Sequence, residues 1–453
     1  MDAELDKSTD RPYLPLAANG TGQGLLLVVF ALLALGVVVV HSAMASVNEP
    51  GLWYARVDVR HGMFAAVAGA VLLVLIRFFN YRWFARGGRL PWLAMGLLAL
   101  AATCAALVYV PGVGHEVGGR YRWIRVGPRE YAIGFQPSEL LKIAMVVFLA
   151  AWLTRPQANP RSIVSFALAA VVAGGCISLV ITEDFGMAVV IALSAGVVMF
   201  LAGVPWYYLL PTAAGGVAGG WYMITGSAYR MQRVMAVVDP WSEANPSAYQ
   251  ARQSLTAILA GGWNGTGLGG GVQKLGFLPE DSTDFIFASF CEEWGVRGAL
   301  LVMALLLAWM WQCRRTSARA SDPFGRVLAG ALVAMIAVQA LLHIAVNMVV
   351  LPPTGIGMPF VSAGGTSLLL MAFAASLIVS VSARATRRTD APDLHTASAS
   401  PSPQGEPRPR PRMKVPRHLQ AGSPASQAPP RPRTARPRKR TLRPQTPGQP
   451  AGR

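Results

Sequence analysis

Charged residues are scarce in this chain. Asp, Glu, Lys and Arg make up 14% of its 453 residues, against roughly 25% in soluble globular domains. Hydrophobic residues make up 53%. This shortage of charge argues against a soluble enzyme, because a soluble surface needs many more charged groups.

Cysteine is also rare, with four residues in the whole chain. Cys104, Cys176 and Cys313 lie in apolar runs and Cys291 lies beside one. There is no CxxC motif and no Cys/His pairing at the spacing of metal ligands, which argues against a disulfide scaffold or a zinc site. We therefore expect four small buried hydrophobic side chains and no protein-built metal site.

Acidic residues are nearly absent from the C-terminal part of the chain. The formal net charge is +18, and residues 384–453 account for +13 of it, leaving +5 for the first 383 residues. The basicity therefore does not indicate a nucleic-acid-binding domain. Residues 387–453 are rich in Pro and Arg and almost lack large apolar residues, which predicts a disordered cytoplasmic tail. It either contacts anionic lipid or a partner, or is simply solvated.

Long apolar runs are what the chain has in abundance. Ten are close to the roughly 20 residues needed to cross a bilayer. They cover residues 24–43, 61–79, 91–110, 137–154, 163–182, 185–203, 206–224, 296–313, 327–350 and 366–383. Residues 1–23 lack the basic region of a cleavable signal peptide. The pattern predicts an all-α integral membrane protein with ten transmembrane helices, a cytoplasmic segment over 1–23 and a membrane domain over 24–386.

Arginine in the short loops sets the orientation, because Lys and Arg are retained on the cytoplasmic side. Four groups fall on one side of the predicted membrane: Arg82, Arg86 and Arg89; Arg155 and Arg161; Arg314, Arg315, Arg319 and Arg326; Arg384, Arg387 and Arg388. Both termini are then cytoplasmic. The loops 44–60, 111–136, 225–295 and 351–365 face outward, with the largest between spans seven and eight.

The outward loop 111–136 breaks this rule. It carries Arg120, Arg122, Arg125 and Arg129. Basic residues kept where topology disfavours them suggest an anionic ligand. The alternative is that they pair with Glu116, Glu130 or lipid headgroups.

The outward loop 225–295 is long, and long loops are usually functional or disordered. Residues 249–259 predict a short amphipathic helix that ends at Gly261-Gly262. Three residues later the chain becomes dense in glycine over 265–271, and Lys274 follows. Such a segment either brings backbone N–H groups close to an anion or is a flexible turn without a ligand.

Several ionisable or polar groups lie at or inside the predicted membrane boundary. Asp284 stands between a polar segment and an apolar run, where partial desolvation raises the pKa of a carboxylate towards the range of a general base; a solvated loop carboxylate is the alternative. Glu139 and Lys142 would share a helix face, as would His343 and Asn347. For both pairs, and for Glu183-Asp184 in a span break, a structural role competes with a functional one.

Three blocks of residues together resemble a known family. The first block is Gly112-Val113-Gly114-His115-Glu116, Arg122-Trp123-Ile124 and Gln136-Pro137-Ser138-Glu139-Leu140-x-Lys142. The second block is Asp239-Pro240-Trp241, Gly265-x-Gly267-Leu268-Gly269, Gln273-Lys274, Leu278-Pro279-Glu280 and Thr283-Asp284-Phe285-Ile286-Phe287. The third block is Asn347, Pro353-Thr354-Gly355-Ile356 and Pro359-Phe360-Val361-Ser362-Ala363-Gly364-Gly365-Thr366. Over residues 24–386 they resemble the SEDS family, which includes FtsW and RodA. The chain departs from the family pattern at Gly118, Glu183 and Ala363.

The resemblance implies an inverting peptidoglycan glycosyltransferase that polymerises lipid II and releases undecaprenyl pyrophosphate. By that resemblance Asp284 is the general base. The residues predicted to bind substrate are Arg122, Trp123, Gln136, Lys274, Glu139, Lys142 and Ser362, with Arg122 and Lys274 at the pyrophosphate. A divalent cation, Mg²⁺ or Mn²⁺, is possible there, and no other cofactor is expected.

The resemblance also implies a partner, a single-span class B penicillin-binding protein, along with other division or elongation proteins. The expected location is the bacterial inner membrane. The third block and the basic tail favour an FtsW-like enzyme of the division septum over a RodA-like enzyme of the side wall. Two other classes stay open: a lipid II flippase, for which Glu139, Lys142 and Asp184 would form a polar path, and a scaffold that recruits a transpeptidase.

Overall fold

The computed structural model describes residues 16, 19–44, 56–87, 90–117, 119–127, 133–243 and 245–384. The predicted segment 1–23 lies largely outside this part, and the predicted tail 387–453 lies wholly outside it. So do Gly118, Arg129 and Glu130.

The described residues are mostly helical. The α-helices are α1 Gly20–Met44, α2 Val57–Phe78, α3 Trp92–Leu107, α4 Pro137–Leu153, α5 Ile163–Ser178, α6 Phe185–Leu201, α7 Trp206–Thr225, α8 Ala228–Val238, α9 Pro246–Gly261, α10 Ile286–Arg319, α11 Pro323–Asn347 and α12 Thr366–Ser382. Short 3₁₀ helices cover Tyr81–Ala85 and Gln273–Leu275. Each of the ten predicted spans overlaps one helix of this set.

Four of these helices are long and apolar enough to cross a membrane by length and composition: α1, α2, α10 and α11. Helices α3, α5, α6 and α12 are apolar but shorter. Ten crossings therefore remain a prediction. The predicted amphipathic helix in the large loop is confirmed as α9, which ends at Gly261.

The expectation of an all-α chain is wrong in one place. Residues of the loop 111–136 form a three-stranded antiparallel sheet of β1 Gly114–Val117, β2 Arg120–Val126 and β3 Ile133–Phe135, in the order β1-β2-β3. The central strand begins with Arg120 and Arg122 alternating with Tyr121 and Trp123, and Ile124 follows directly. Alternation of this kind and a high content of aromatic and β-branched residues favour a strand.

Helix α4 forms the centre of the bundle. It begins with Pro137 in its first turn, and nearly all of its residues are buried. It packs against α3, α6 and α11. Since its N-terminus follows directly on β3, the most buried helix of the protein leads straight out of the small sheet.

Helix α10 is broken near its start. Gly295 has φ 63° and ψ −161°, which no helix contains. The predicted span 296–313 is the part after this break, and Ile286–Trp294 forms a separate helical segment that carries Asp284 just before its first residue. The break thus separates the short segment next to Asp284 from the long apolar part of the helix that follows Gly295.

Candidate active site

A cavity of about 690 Å³ lies where the small sheet, the large loop and the loop before α12 meet. It is lined by Arg60, His115, Arg120, Arg122, Trp123, Arg125, Gly134, Gln136, Tyr229, Arg233, Gln250, Glu280, Thr283, Asp284, Phe285, Val346, Pro353, Thr354 and Gly355. Four of the predicted site residues meet here: Asp284, Arg122, Trp123 and Gln136. The volume is in the range of pockets that take ligands of drug size or larger.

The backbone around Asp284 is held by three hydrogen bonds from two side chains, Asn347 and Ser362. Asn347, which is fully buried, donates from Nδ2 to the Asp284 carbonyl at 3.0 Å and accepts from the Ala288 N–H at 2.9 Å. The Ser362 hydroxyl donates to the Thr283 carbonyl at 2.8 Å. These bonds fix where the Asp284 carboxylate points, as precise acid–base chemistry requires.

The carboxyl group of Asp284 is partly exposed at the cavity wall and otherwise enclosed by protein. Burial raises its pKa to about 7, and the nearby carboxylate of Glu280 acts in the same direction. Arg122 and Arg233 oppose this rise, since a cation favours the ionised form. A carboxylate with a pKa near 7 is suited to take a proton at neutral pH.

Arginine dominates the cavity walls. Arg60, Arg120, Arg122, Arg125 and Arg233 all line it. None of them takes part in an ion pair within the described part of the chain. Arg122 Nε instead donates to the Glu183 carbonyl at 2.9 Å and Arg233 Nη1 to the Pro353 carbonyl at 2.7 Å. The positive charge is therefore available to an anion.

Gly355 borders both Asp284 and Arg122. A Cβ atom at this position would lie 3.1 Å from Arg122 Nη1 and 3.4 Å from Asp284 Oδ2, and the residue has φ +73°. Both groups therefore face the same point of the backbone. A side chain here would intrude between them.

We expect Gly355→Ala to lower kcat/KM for the polymerisation proposed below by at least about 10-fold, because the methyl group displaces Arg122 or Asp284 and a misplaced catalytic group is costly. Gly203→Ala is the matched control: Gly203 has φ +92°, and its Cβ would meet nothing within 4 Å. It carries the same backbone strain without the intrusion. Equal activity losses in the two variants would show that strain alone is responsible.

Two other predicted site residues, Glu139 and Lys142, lie outside the cavity. Lys142 is fully buried, and its Nζ donates to Glu139 Oε2 at 2.7 Å and also to Gln339 Oε1. Gln339 Nε2 donates to the Gly357 carbonyl at 3.0 Å. The pair therefore supports the loop that carries Gly355 and does not face the space where a substrate would lie. Ser362, likewise absent from the cavity wall, holds the Thr283 backbone.

Lys274 is not brought to Asp284. Its side chain is 4% exposed, and its Nζ donates to Glu293 Oε1 at 2.9 Å and to the Ser42 carbonyl at 3.0 Å. Ser42 Oγ donates to Glu293 Oε2 at 2.5 Å. A buried lysine already paired in this way has no free charge for a pyrophosphate, so the geometry does not support that prediction.

The glycine-rich segment pairs with α10 and does not form an open anion cradle. The N–H groups of Thr266 and Gly267 donate to the carbonyls of Glu292 and Glu293 at 2.9 and 3.0 Å. A Cβ at Gly265 would lie 2.0 Å from the Glu293 carbonyl oxygen. Glycine is required in this segment because its backbone lies directly against the backbone of the broken helix α10, where a side chain would not fit.

The sequence held a signal for one group that we missed. Arg230, Arg233, Arg252 and Lys274 all lie in the outward loop 225–295, a concentration of basic residues like that of loop 111–136. Counting them would have made Arg233 a candidate site residue. Gly355 belongs to the third motif block but was not predicted as a site residue, and Arg60 had no signal in the sequence, because only the folded chain brings it to the cavity.

Residues 23–387 match the family model FTSW_RODA_SPOVE, described as a cell cycle protein. The chain is 37% identical over 366 residues to the probable peptidoglycan glycosyltransferase FtsW of Nitrosococcus halophilus, covering 78% of this chain and 89% of that protein. The FtsW of the same description from Alkalilimnicola ehrlichii is also 37% identical over 366 residues, covering 79% and 88%.

Solved structures show the same fold. A chain in the structure titled "Structural coordination of polymerization and crosslinking by a peptidoglycan synthase complex" has a TM-score of 0.63 at 26% identity, covering 79% of this chain and 97% of that one. An alanine variant of the rod shape determining protein RodA of Thermus thermophilus has a TM-score of 0.57 at 25% identity, covering 79% and 96%. The family predicted from the three motif blocks is confirmed, and the chain belongs to the FtsW/RodA/SpoVE family, also called SEDS.

Proposed function

We propose that this chain is a peptidoglycan glycosyltransferase that polymerises lipid II into glycan strands and releases undecaprenyl pyrophosphate. The observation that carries the proposal is a carboxylate of raised pKa, Asp284, facing a 690 Å³ cavity whose walls hold five arginines that form no ion pair within the described residues. The relatives named FtsW support the same activity.

In the proposed reaction Asp284 takes the proton from the GlcNAc 4-hydroxyl of one lipid II. That oxygen attacks the anomeric carbon of a second lipid II, and the bond from this carbon to the pyrophosphate breaks with inversion. The pyrophosphate leaves with the electron pair. One carboxylate is sufficient because the leaving group is already an anion and needs charge stabilisation, which arginines supply, instead of a general acid.

The cavity residues do not fit a resident divalent ion. Within the described chain no three His, Cys, Asp or Glu side chains come together as a ligand set. A divalent ion that arrives with the pyrophosphate remains a prediction.

The proposal includes the setting of the enzyme. We propose ten membrane crossings, cytoplasmic termini and a cavity on the outer side of the inner membrane, and the similarity to FtsW relatives supports a role at the division septum. The likeness to a chain of a peptidoglycan synthase complex supports a class B penicillin-binding protein as partner. The other division or elongation proteins stay predictions.

We expect the activity to fall as the pH is lowered through about 7, because only ionised Asp284 accepts the proton and burial raises its pKa to about 7. Glu280→Gln removes one cause of the raised pKa and keeps an acceptor for Thr283 Oγ1, now 2.7 Å from Glu280 Oε2. The pKa of Asp284 then falls, and the limb of the kcat/KM profile against pH moves to lower pH.

The comparison for this prediction is Glu243→Gln, which removes an exposed outer-loop carboxylate that does not line the cavity. Its profile should overlay that of the wild type. A limb that stays in place or moves to higher pH in Glu280→Gln would contradict the assignment of Asp284 as the base.

The decisive test of the proposed function is the purified protein with lipid II in detergent. Glycan ladders on a gel are the expected result. A flippase makes no covalent product, so absence of ladders, with and without a class B penicillin-binding protein, together with lipid II translocation in vesicles, would favour that alternative.

A further inference from the structure

A second cavity, of about 200 Å³, adjoins the first and has a different character. We call it the side cavity. Its walls are largely apolar, with Phe185 and Val189 from α6, Val234 from α8 and Leu342 from α11. Arg120, Arg122, Tyr229, Arg233, Pro353 and Thr354 line both cavities. The two spaces therefore meet at a wall of guanidinium groups.

The charge at this meeting point is not balanced. Arg120, Arg122, Arg230 and Arg233 line the side cavity together with a single carboxylate, Glu183. Arg230 donates to the carbonyls of Ile181, Thr182 and Met223 at 3.2–3.3 Å, and Arg120 donates to the Thr182 carbonyl. Among the described residues none of the four arginines has a carboxylate ion-pair partner.

Two further observations indicate a ligand here. Burial lowers the pKa of Arg233, and the guanidinium groups of Arg122 and Arg120 act in the same direction, while Tyr229 and Asp284 only partly oppose this shift. Like charges held together in a partly desolvated place are costly unless an anion joins them. In addition, the hydroxyl of Thr354, which lines both cavities, is buried and has no hydrogen-bond partner within the described part of the chain.

Apolar walls beside an unbalanced cationic wall fit an amphiphile with an anionic head. We propose that the side cavity binds the first isoprenoid units of the donor lipid II, with its pyrophosphate on Arg122, Arg230 and Arg233. This inference rests on the proposed function and names which of the two substrates each space takes.

The choice of donor over acceptor follows from the chemistry at Asp284. In the donor the reacting anomeric carbon is bonded directly to the pyrophosphate. In the acceptor the reacting hydroxyl is on the outer sugar of the disaccharide, well away from its own pyrophosphate. Arg122 and Asp284 both border Gly355, with Nη1 and Oδ2 at 3.1 and 3.4 Å from its Cβ position. A pyrophosphate this close to the base is the donor's.

This assignment accounts for every bond and charge that changes in the reaction. The bond from the acceptor oxygen to the donor carbon forms, the bond from that carbon to the pyrophosphate oxygen breaks, and the proton goes to Asp284. The pyrophosphate keeps the electron pair and gains one negative charge. The arginine wall offsets that charge as it develops, while the isoprenoid chain stays in the side cavity until the product leaves.

The first test measures binding without turnover. Undecaprenyl pyrophosphate is titrated onto the full-length Asp284→Asn protein in detergent, followed by native mass spectrometry. Adding Arg233→Ala or Arg230→Ala should raise the Kd about 10-fold or more. Adding Arg252→Ala, an outer-loop arginine that stacks on Tyr249 and lines neither cavity, should leave it unchanged.

A second variant examines the apolar part. Val189→Trp places a large side chain from α6 in the side cavity. It should weaken the binding of undecaprenyl pyrophosphate and leave the binding of inorganic pyrophosphate unchanged. Arg233→Gln, which removes the charge but keeps a polar side chain, replaces Arg233→Ala if that variant fails to fold. Unchanged Kd values in Val189→Trp and in the folded arginine variants would overturn the proposal.

A kinetic test separates donor from acceptor. Lipid II lacking its 4-hydroxyl acts only as donor, and the methyl glycoside of the disaccharide acts as an acceptor without pyrophosphate. Coupling of this pair should fall in Arg233→Ala as much as lipid II polymerisation does. Normal coupling with impaired polymerisation would assign the arginines to the acceptor. The binding test does not need turnover, so it remains informative if the proposed polymerase activity is absent.

Discussion

Asp284→Asn should lower the rate of lipid II polymerisation by about 10²–10⁴-fold, the usual contribution of a positioned general base. Asparagine keeps the size of the side chain, the bond from Asn347 to the carbonyl of residue 284 and the bond from Ser362 to the neighbouring Thr283 carbonyl, but it cannot accept the proton. The expected readout is loss of glycan ladders at an unchanged yield of folded, monodisperse protein.

We expect the loss of activity in Asp284→Asn without a loss of stability. The pKa of Asp284 is raised in the folded protein, so its ionised form destabilises the fold once the pH exceeds the folded pKa. Asp284→Asn removes this cost, and its melting temperature at pH 8 should be no lower than that of the wild type. A variant that melts as expected and still polymerises lipid II at the wild-type rate would exclude Asp284 as the base.

Asp281→Asn is the matched control. Burial raises the pKa of Asp281 to about 6, so it resembles Asp284 in chemistry and lies three residues before it. It does not line the cavity, and its carbonyl accepts from Ser289 Oγ at 3.3 Å. We expect this variant to retain most of its activity, which would separate the position of the carboxylate from its raised pKa.

Apolar length predicted the helices well because a stretch of about 20 apolar residues has few other stable forms. Every predicted span overlaps an observed helix. What the pattern missed needs distant backbone contacts. The break at Gly295 is stabilised by the Val296 N–H, which donates to the Gly262 carbonyl at 2.9 Å. No local property of residues 286–319 indicates that contact.

Charge identity predicted the site only in part, for a similar reason. Asp284, Arg122, Trp123 and Gln136 do meet in one cavity. Lys274 looked equivalent to Arg122 in sequence, yet it pairs with Glu293, 19 residues away. A sequence shows which charges exist but not which of them neutralise each other on folding. The ligand-facing charges are those left unpaired, and only the structure identifies them.

Lys142→Met should strongly destabilise the bundle. It removes the partner of Glu139, whose carboxylate is 2.7 Å from Lys142 Nζ and almost fully buried. Breaking a buried ion pair from one side typically costs about 3–5 kcal/mol, because the remaining charge is left without compensation. The free energy of unfolding in mixed micelles titrated with denaturing detergent would measure this loss.

The double variant Glu139→Gln/Lys142→Met distinguishes the lost charge pair from lost packing. With both charges gone, most of the stability should return, since a neutral replacement of a buried pair is often nearly as stable. Gln339, freed from Lys142, still reaches the Gly357 carbonyl at 3.0 Å, so the loop carrying Gly355 should stay in place and the double variant should recover activity along with stability. Recovery of stability without activity would contradict this interpretation. It would mean that Lys142 binds the substrate directly, as the family resemblance predicts.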